Sequence, residues 1–100
     1  MKAVIVISGR DNVATALEAL EAGRRVTVNG IEVVVRDAIP PGHKVALRPI
    51  AAGGVVIKYG SPIGVATTDI DQGAHVHTHN VESSRGRGAR GLVVRDSSDK

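Results

Sequence analysis

The chain has 100 residues, with no cysteine, no phenylalanine, no tryptophan and a single tyrosine. Disulfides, thiolate metal sites and an aromatic core are therefore excluded, and one small domain in a reducing cytoplasm is the default expectation. The net charge of +3 is unevenly placed, because Arg85, Arg87, Arg90 and Arg95 crowd the last sixteen residues while the chain through Asn80 is close to neutral. That basic end suits phosphate, carboxylate or an acidic protein surface. The apolar start Ala3-Val4-Ile5-Val6-Ile7 is too short for a secretion signal, and no stretch approaches the ~20 apolar residues of a membrane helix, so no membrane partner is expected.

Val and Ile dominate the apolar residues, which favours a mostly β domain of short strands. In chain order the pattern predicts strands over residues 2–7, 25–28, 31–36, 44–47, 55–58, 63–67 and 74–78. One short α-helix is predicted over residues 13–22, with Asp11 or Asn12 as N-cap, Val13, Ala16, Leu17 and Leu20 on one face, and Gly23 as C-terminal stop. Asn29-Gly30 between two β-rich runs is a strong signal for a type I′ hairpin. A phrase recurs along the chain: Leu20-Glu21-Ala22-Gly23, Ile39-Pro40-Pro41-Gly42, Ile50-Ala51-Ala52-Gly53 and Ile70-Asp71-Gln72-Gly73. Each pairs an apolar anchor with a Gly able to turn the chain into the next strand. The spacing is too irregular for a solenoid. Residues 1–81 then form the domain, and residues 82–100 a mobile Gly/Arg/Ser-rich tail, within which Leu92-Val93-Val94 can add a short strand.

Three of the four histidines, His75, His77 and His79, alternate in Gly73-Ala74-His75-Val76-His77-Thr78-His79-Asn80. In a strand all three project to one face, and neutral imidazole is a common ligand for zinc, copper and iron. Same-face neighbours stand nearly 7 Å apart, so three on a straight strand rarely reach one ion, and two ligands completed by a partner fit better. A solvated polar strand face accounts for the same alternation. Gly42-His43-Lys44 offers an imidazole and an ammonium on a turn, suited to proton transfer or carboxylate binding, and it also reads as an ordinary charged turn. Lys58-Tyr59 precedes a Gly/Pro turn; the two side chains together can stabilise an oxyanion, or Tyr59 can fill core volume. Arg-Gly repeats bind phosphate and carboxylate and occur in RNA binders, but no aromatics are interleaved here to stack bases. Phosphate loops, nucleophile elbows and helix-borne metal motifs are absent, and the scattered acidic residues offer no evident acid–base pair. A complete enzyme is not expected.

Four segments taken in order resemble a known pattern: Asp11-Asn12-Val13-Ala14-Thr15-Ala16-Leu17, Ile39-Pro40-Pro41-Gly42-His43-Lys44-Val45-Ala46-Leu47, Val56-Ile57-Lys58-Tyr59-Gly60-Ser61-Pro62-Ile63-Gly64 and His75-Val76-His77-Thr78-His79-Asn80-Val81. The pattern is similar to the small N-terminal domain, or separate small subunit, of the altronate and galactarate dehydratases, the UxaA family. It runs from Asp11 to Gly88; Ala89 stands where an acidic residue is expected, and the stretch from Leu92 to Lys100 lies outside it.

The resemblance implies an SAF-type β-clip fold and a part in dehydrating hexonic or hexaric acids to 2-keto-3-deoxy products. It also implies a divalent metal, Fe2+ first and Mn2+ or Zn2+ as alternatives, shared with a large subunit that supplies much of the apparatus. The related sulfolactate sulfo-lyases expel sulfite, so the leaving group stays open. On this reading the chain is a separate small subunit or a fragment. His43, Lys44 and Lys58 are the expected catalytic residues, Asn80, Arg85 and Arg87 the substrate contacts, and His75, His77 and His79 the metal ligands. Partners are then a large dehydratase subunit and an anionic sugar acid, with a homo-oligomer left open. A binding module using the Arg-Gly tail on nucleic acid and a regulatory metal-binding domain are the rivals from other classes.

Overall fold

The computed structural model describes residues 3–83, and nine strands run through them. They are β1 (Val4–Ile5), β2 (Val13–Ala16), β3 (Arg25–Val28), β4 (Ile31–Val34), β5 (Lys44–Ala46), β6 (Val55–Lys58), β7 (Ser61–Ala66), β8 (His75–Val76) and β9 (Val81–Ser83). All pairings are antiparallel. A four-stranded sheet is ordered β1-β2-β5-β8, a hairpin joins β3 and β4, and a three-stranded sheet is ordered β6-β7-β9. The mostly β reading holds. The tail from Ser84 onward, including Arg85, Arg87 and the strand predicted at residues 92–94, lies outside the described residues.

Strand alternation divides the interior in two. Ala14 and Ala16 of β2, with Val45 of β5 and Leu47 beyond it, join a core with Val4, Leu20, Val26, Val28, Val33, Val35 and Ile39. From the opposite faces of the same two strands, Val13 and Ala46 join a second core with Ile50, Val56, Ala66, Ile70 and Val76. β2 and β5 are therefore a wall with apolar packing on both sides. Their small and β-branched residues suit a central strand whose two faces both lie close to neighbours.

The two cores belong to two copies of one unit. In the first, Leu20 and Ile39 exchange backbone hydrogen bonds at 2.9 and 2.8 Å; in the second, Ile50 and Ile70 do so at 2.8 and 2.7 Å. Gly23 donates to Val35 O as Gly53 donates to Ala66 O, and Gly42 donates to Ala16 O as Gly73 donates to Ala46 O. The hairpin β3–β4 turns at Asn29-Gly30 and β6–β7 at Tyr59-Gly60, with all four residues at positive φ. From Leu20 to Ile50 and from Gly30 to Gly60 the offset is thirty positions; from Ile39 to Ile70 and from Gly42 to Gly73 it is thirty-one. The extra residue is Ile63, because Val56 pairs with Gly64 while Ile57 pairs with Pro62, a β-bulge in β7. The recurring apolar-to-Gly phrase is thus a duplicated scaffold with two phrases per unit.

The predicted helix is absent, and β2 occupies its beginning. Residues 14–20 carry good local helix formers, but tertiary pairing overrides that preference: β1 and β5 take the backbone on either side of β2. Leu17, predicted for the buried face, is 52% exposed. Asp11 caps no helix. Its carboxylate, buried, accepts the Gly60 N–H at 2.7 Å, while the Asn12 amide donates to Val55 O and its Oδ1 accepts the Ile57 N–H, both at 2.8 Å.

Equivalent glycines in the two units give a controlled test. A Cβ on Gly42, at φ +85, meets nothing within 4 Å, whereas one on Gly73, at φ +86, collides with the Val34 carbonyl oxygen. In urea denaturation Gly42→Ala should cost about 1–2 kcal/mol, the left-handed penalty alone. Gly73→Ala should cost more than about 3 kcal/mol, because backbone must also move.

Candidate functional site

The pairing of β5 with β8 builds the site. Lys44 lies opposite Val76 and Val45 opposite His75. Continuing this antiparallel register sets His43 opposite His77, and alternation sends His43, Val45, His75 and His77 to one face. The internal duplication shows what changed there. The β2–β5 ladder has the pair Val13↔Ala46, both fully buried. Its counterpart in the β5–β8 ladder is His43 with His77.

The imidazoles meet closely. The rings of His43 and His77 stack with centroids 3.8 Å apart and planes within 14°. His43 Nδ1 and His75 Nε2 share a hydrogen bond of 2.8 Å, so one ring donates and the other accepts. His43, His75 and His77 each bring a ligand nitrogen within 4.8 Å of the others. His79 stands outside that trio, exposed, its ring tilted 35° against His75 with centroids 5.0 Å apart. The reason is local: β8 ends at Val76 and the chain turns over residues 77–80. Buried Asn80 holds the turn, its Oδ1 accepting the His77 N–H at 3.0 Å and its amide donating to His75 O at 2.9 Å. The three histidines that alternate in sequence thus do not form one straight ladder. The register brings His77 to His43, and the turn that follows carries His79 aside.

Electrostatics favour neutral rings. Burial, then the neighbouring imidazoles of His79, His43 and His77, push His75 below the ordinary histidine value, partly opposed by Asp37. His77 is pushed down by burial and by His43, Lys44 and His79. Asp37 also accepts the His75 N–H at 3.0 Å. Neutral imidazole is the form that serves as base or metal ligand.

Alternation sends Lys44 to the other face of β5, beside its cross-strand neighbour Thr15. Burial and then the charge of Lys58 push Lys44 below the usual ammonium range. Lys58 lies 4.9 Å over the Tyr59 ring. Asp11 illustrates the opposite balance: burial raises its carboxyl, but backbone hydrogen bonds from Gly60, Tyr59, Ser8 and Ile7 outweigh it and the net shift is downward.

Of the residues singled out from the sequence, His43, His75 and His77 converge; Lys44 lies on the reverse face of β5 and feels the charge of Lys58 of β6; Asn80 is engaged with the ladder's own backbone. Arg85 and Arg87 lie outside the described residues. The contribution of His43 to the imidazole trio was not apparent from the sequence, because 32 positions separate it from His75. The duplication carries that signal, since shifting the Thr15↔Lys44 pair by one unit gives Val45↔His75.

The donor set is chemically suited to a borderline divalent metal. It comprises three imidazoles, two of them, His75 and His77, favoured in the neutral form, and buried His77 Nδ1 has no hydrogen-bond partner among the described residues. Stacked planes cannot both contain one ion, so binding requires the His43 and His77 rings to turn.

Fold and site together define a small all-β module that presents imidazole and ammonium groups from opposite faces of one strand pair. The chain belongs to the altronate/galactarate dehydratase SAF domain family, whose model matches residues 2–84, and its fold is the SAF-type β-clip. It is 42% identical over 84 residues to the altronate dehydratase of Bacillus subtilis and 49% identical over 80 residues to that of Escherichia coli. The matches cover 84% and 80% of this chain but only 17% and 16% of those relatives. It is also 43% identical over 75 residues to the (2R)-sulfolactate sulfo-lyase subunit alpha of Chromohalobacter salexigens, covering 69% of this chain and 80% of that subunit. Among the described residues no helix is long and apolar enough to cross a membrane.

The depressed histidines predict a pH dependence. Their folded values lie below the ordinary 6.5, so the unfolded chain binds protons first as pH falls. The stability they contribute is complete above about pH 6.5 and is lost as pH drops through the folded values. Thermal melts from pH 8 to 5 should show this decline, and His77→Gln should flatten it.

Proposed function

We propose that this chain is the small subunit or N-terminal domain of a sugar-acid hydro-lyase of the altronate/galactarate type, lending side chains to a site completed by a larger partner. The observation that carries the reading is the convergence of His43, His75 and His77 where the duplicated scaffold otherwise buries Val13 against Ala46. Imidazoles at a position that could have been core point to function rather than stability. Family membership supports the reaction class. The matched segment is 17% of an altronate dehydratase and 80% of a sulfo-lyase subunit alpha, which supports a module that works together with a larger partner.

Dehydration removes a proton from the carbon next to a carboxylate and expels the β-hydroxyl as water. A neutral imidazole is suited to take the first proton, and the His43–His75 hydrogen bond gives it a route away from the substrate. Half-buried Lys44, on the reverse face of β5, together with Lys58 adds positive charge suited to an anionic group that the imidazoles do not reach. Asn80 acts as a positioning residue through its two bonds to the ladder backbone. Arg85 and Arg87 add cationic contacts on the sequence argument alone. His43, His75 and His77 would hold a divalent ion, Fe2+ before Mn2+ or Zn2+, shared with the larger partner; when bound it supplies a Lewis acid for the substrate oxygens.

A second reading, a C–S lyase expelling sulfite, is favoured by the 80% coverage of the sulfo-lyase subunit alpha. Two assays separate them. Residues 2–84 should replace the matching segment of the Escherichia coli altronate dehydratase with retention of altronate dehydration. Replacing His43 and His77 together by Ala in that chimera should lower kcat at least about 100-fold. Full activity without those histidines contradicts the assignment, and sulfite release from sulfolactate by this chain with a sulfo-lyase large subunit favours the second reading.

A further inference from the structure

The two units differ along one strand edge. In the second, Asn12 closes the gap between β2 and the outer edge of β6. Its Nδ2 donates to Val55 O and its Oδ1 accepts the Ile57 N–H, both at 2.8 Å, and its own N–H donates to Ile57 O at 3.2 Å. In the first unit β1 stands to β3 as β2 stands to β6. The pair Val4↔Ala16 matches Val13↔Ala46, and the Leu17 N–H donates to Ala3 O as the Leu47 N–H donates to Asn12 O. Ala3 therefore occupies the place of Asn12, and Arg25 and Thr27 those of Val55 and Ile57. A methyl group can make neither side-chain bond.

The edge is open where that clasp is missing. A two-residue hairpin joins Val28 to Ile31 and Val26 to Val33 through main-chain bonds, so Arg25 and Thr27 turn theirs away from β4. Both residues are exposed, and no hydrogen bond among the described residues reaches Arg25 O or the Thr27 N–H. A cavity of about 350 Å3 lies there, between Ala3, Val4 and Val6 on one side and residues 24–29 on the other. Its width decides what can enter. β1 and β3 approach within 8 Å at Cα, whereas a strand inserted between two others needs roughly 10 Å. A side chain fits; a further strand does not. A single trans peptide group directs its N–H and C=O to opposite sides, but a primary carboxamide holds a donor hydrogen beside its acceptor oxygen. A carboxylate could accept from Thr27 yet offers no donor to Arg25 O.

We propose that the groove between β1 and β3 is a docking site for an Asn or Gln side chain of the larger partner, whose carboxamide bridges Arg25 O and the Thr27 N–H as Asn12 bridges Val55 and Ile57. The identity of the partner rests on the sugar-acid reading above; the chemistry of the groove does not. The second unit carries its own plug, and the first leaves the same socket for another chain.

Amide exchange and resonance shifts of the full chain test this. In the free chain the Thr27 N–H should exchange at least about tenfold faster than the Ile57 N–H. N-acetylasparagine methylamide should shift the Thr27 amide resonance saturably, and N-acetylaspartate methylamide should bind at least about tenfold more weakly. Ala3→Asn supplies the carboxamide from within the chain: it should raise the melting temperature, slow Thr27 exchange at least about tenfold and abolish the response to the probe. In the altronate dehydratase chimera the Thr27 N–H should be protected. A Thr27 N–H in the free chain as slow as that of Ile57, no response to the asparagine probe, an equal response to the aspartate probe, or a lower melting temperature in Ala3→Asn overturns the groove. Thr27 protection that grows with the concentration of the chain alone assigns the socket to a second copy and overturns the partner, as does an active chimera whose Thr27 stays unprotected. All of these leave the dehydratase reading intact. An inactive chimera defeats that reading and not the groove, which the asparagine probe still reports.

Discussion

The pairing of β5 with β8 is the constraint on which the functional geometry depends. Two residues of β8 lock onto β5, Val76 against Lys44 and His75 against Val45. That register decides which side chains meet, because a slip of one residue would send every side chain to the opposite face. With it, His43 reaches His77 and His75 on one side, and Lys44 turns to the other. Asn80 secures the far end by bonding the backbone on both sides of Val76. Chemistry-bearing groups are thus fixed by main-chain pairing, which holds them more precisely than a free loop does.

The internal duplication makes the functional departures visible. The scaffold is built twice, with the same bridges, the same glycine turns and a two-residue hairpin in each unit. Where the copies differ, the second exchanges packing for polarity. A buried Val–Ala pair becomes a stacked imidazole pair, and a turn-forming Asn becomes a strained Tyr beside a Lys. The Ile63 bulge shifts the second unit by one residue relative to the first. Both units still close apolar cores on the wall formed by β2 and β5, so the polar substitutions at its rim leave the interior intact.

Much of the fold was legible in the residues, because short Val/Ile runs punctuated by Gly turns have few other solutions. β3 and β6 run over the predicted residues, and Asn29-Gly30 turns as its composition demands. β2 was misread since the Ala, Leu and Glu residues within and just after it are strong local helix formers, while its strand pairing comes from distant segments. β9 was missed because Glu82 and Ser83 read as the start of a polar tail, while the strand forms by pairing with distant β7. The imidazole pattern was conspicuous in sequence, but its geometry was not. Alternation implied a straight ladder, whereas the Asn80 turn bends it, and the cross-strand partner His43 belongs to the other end of the second unit.

Metal titration of the full chain tests the central claim, that His43 joins His75 and His77 while His79 stands aside. Co2+ absorption in the visible range reports imidazole coordination directly. His43→Ala and His77→Ala should each weaken Co2+ binding at least tenfold, with His79→Ala close to the unaltered chain. Loss of binding in His79→Ala with retention in His43→Ala would contradict it.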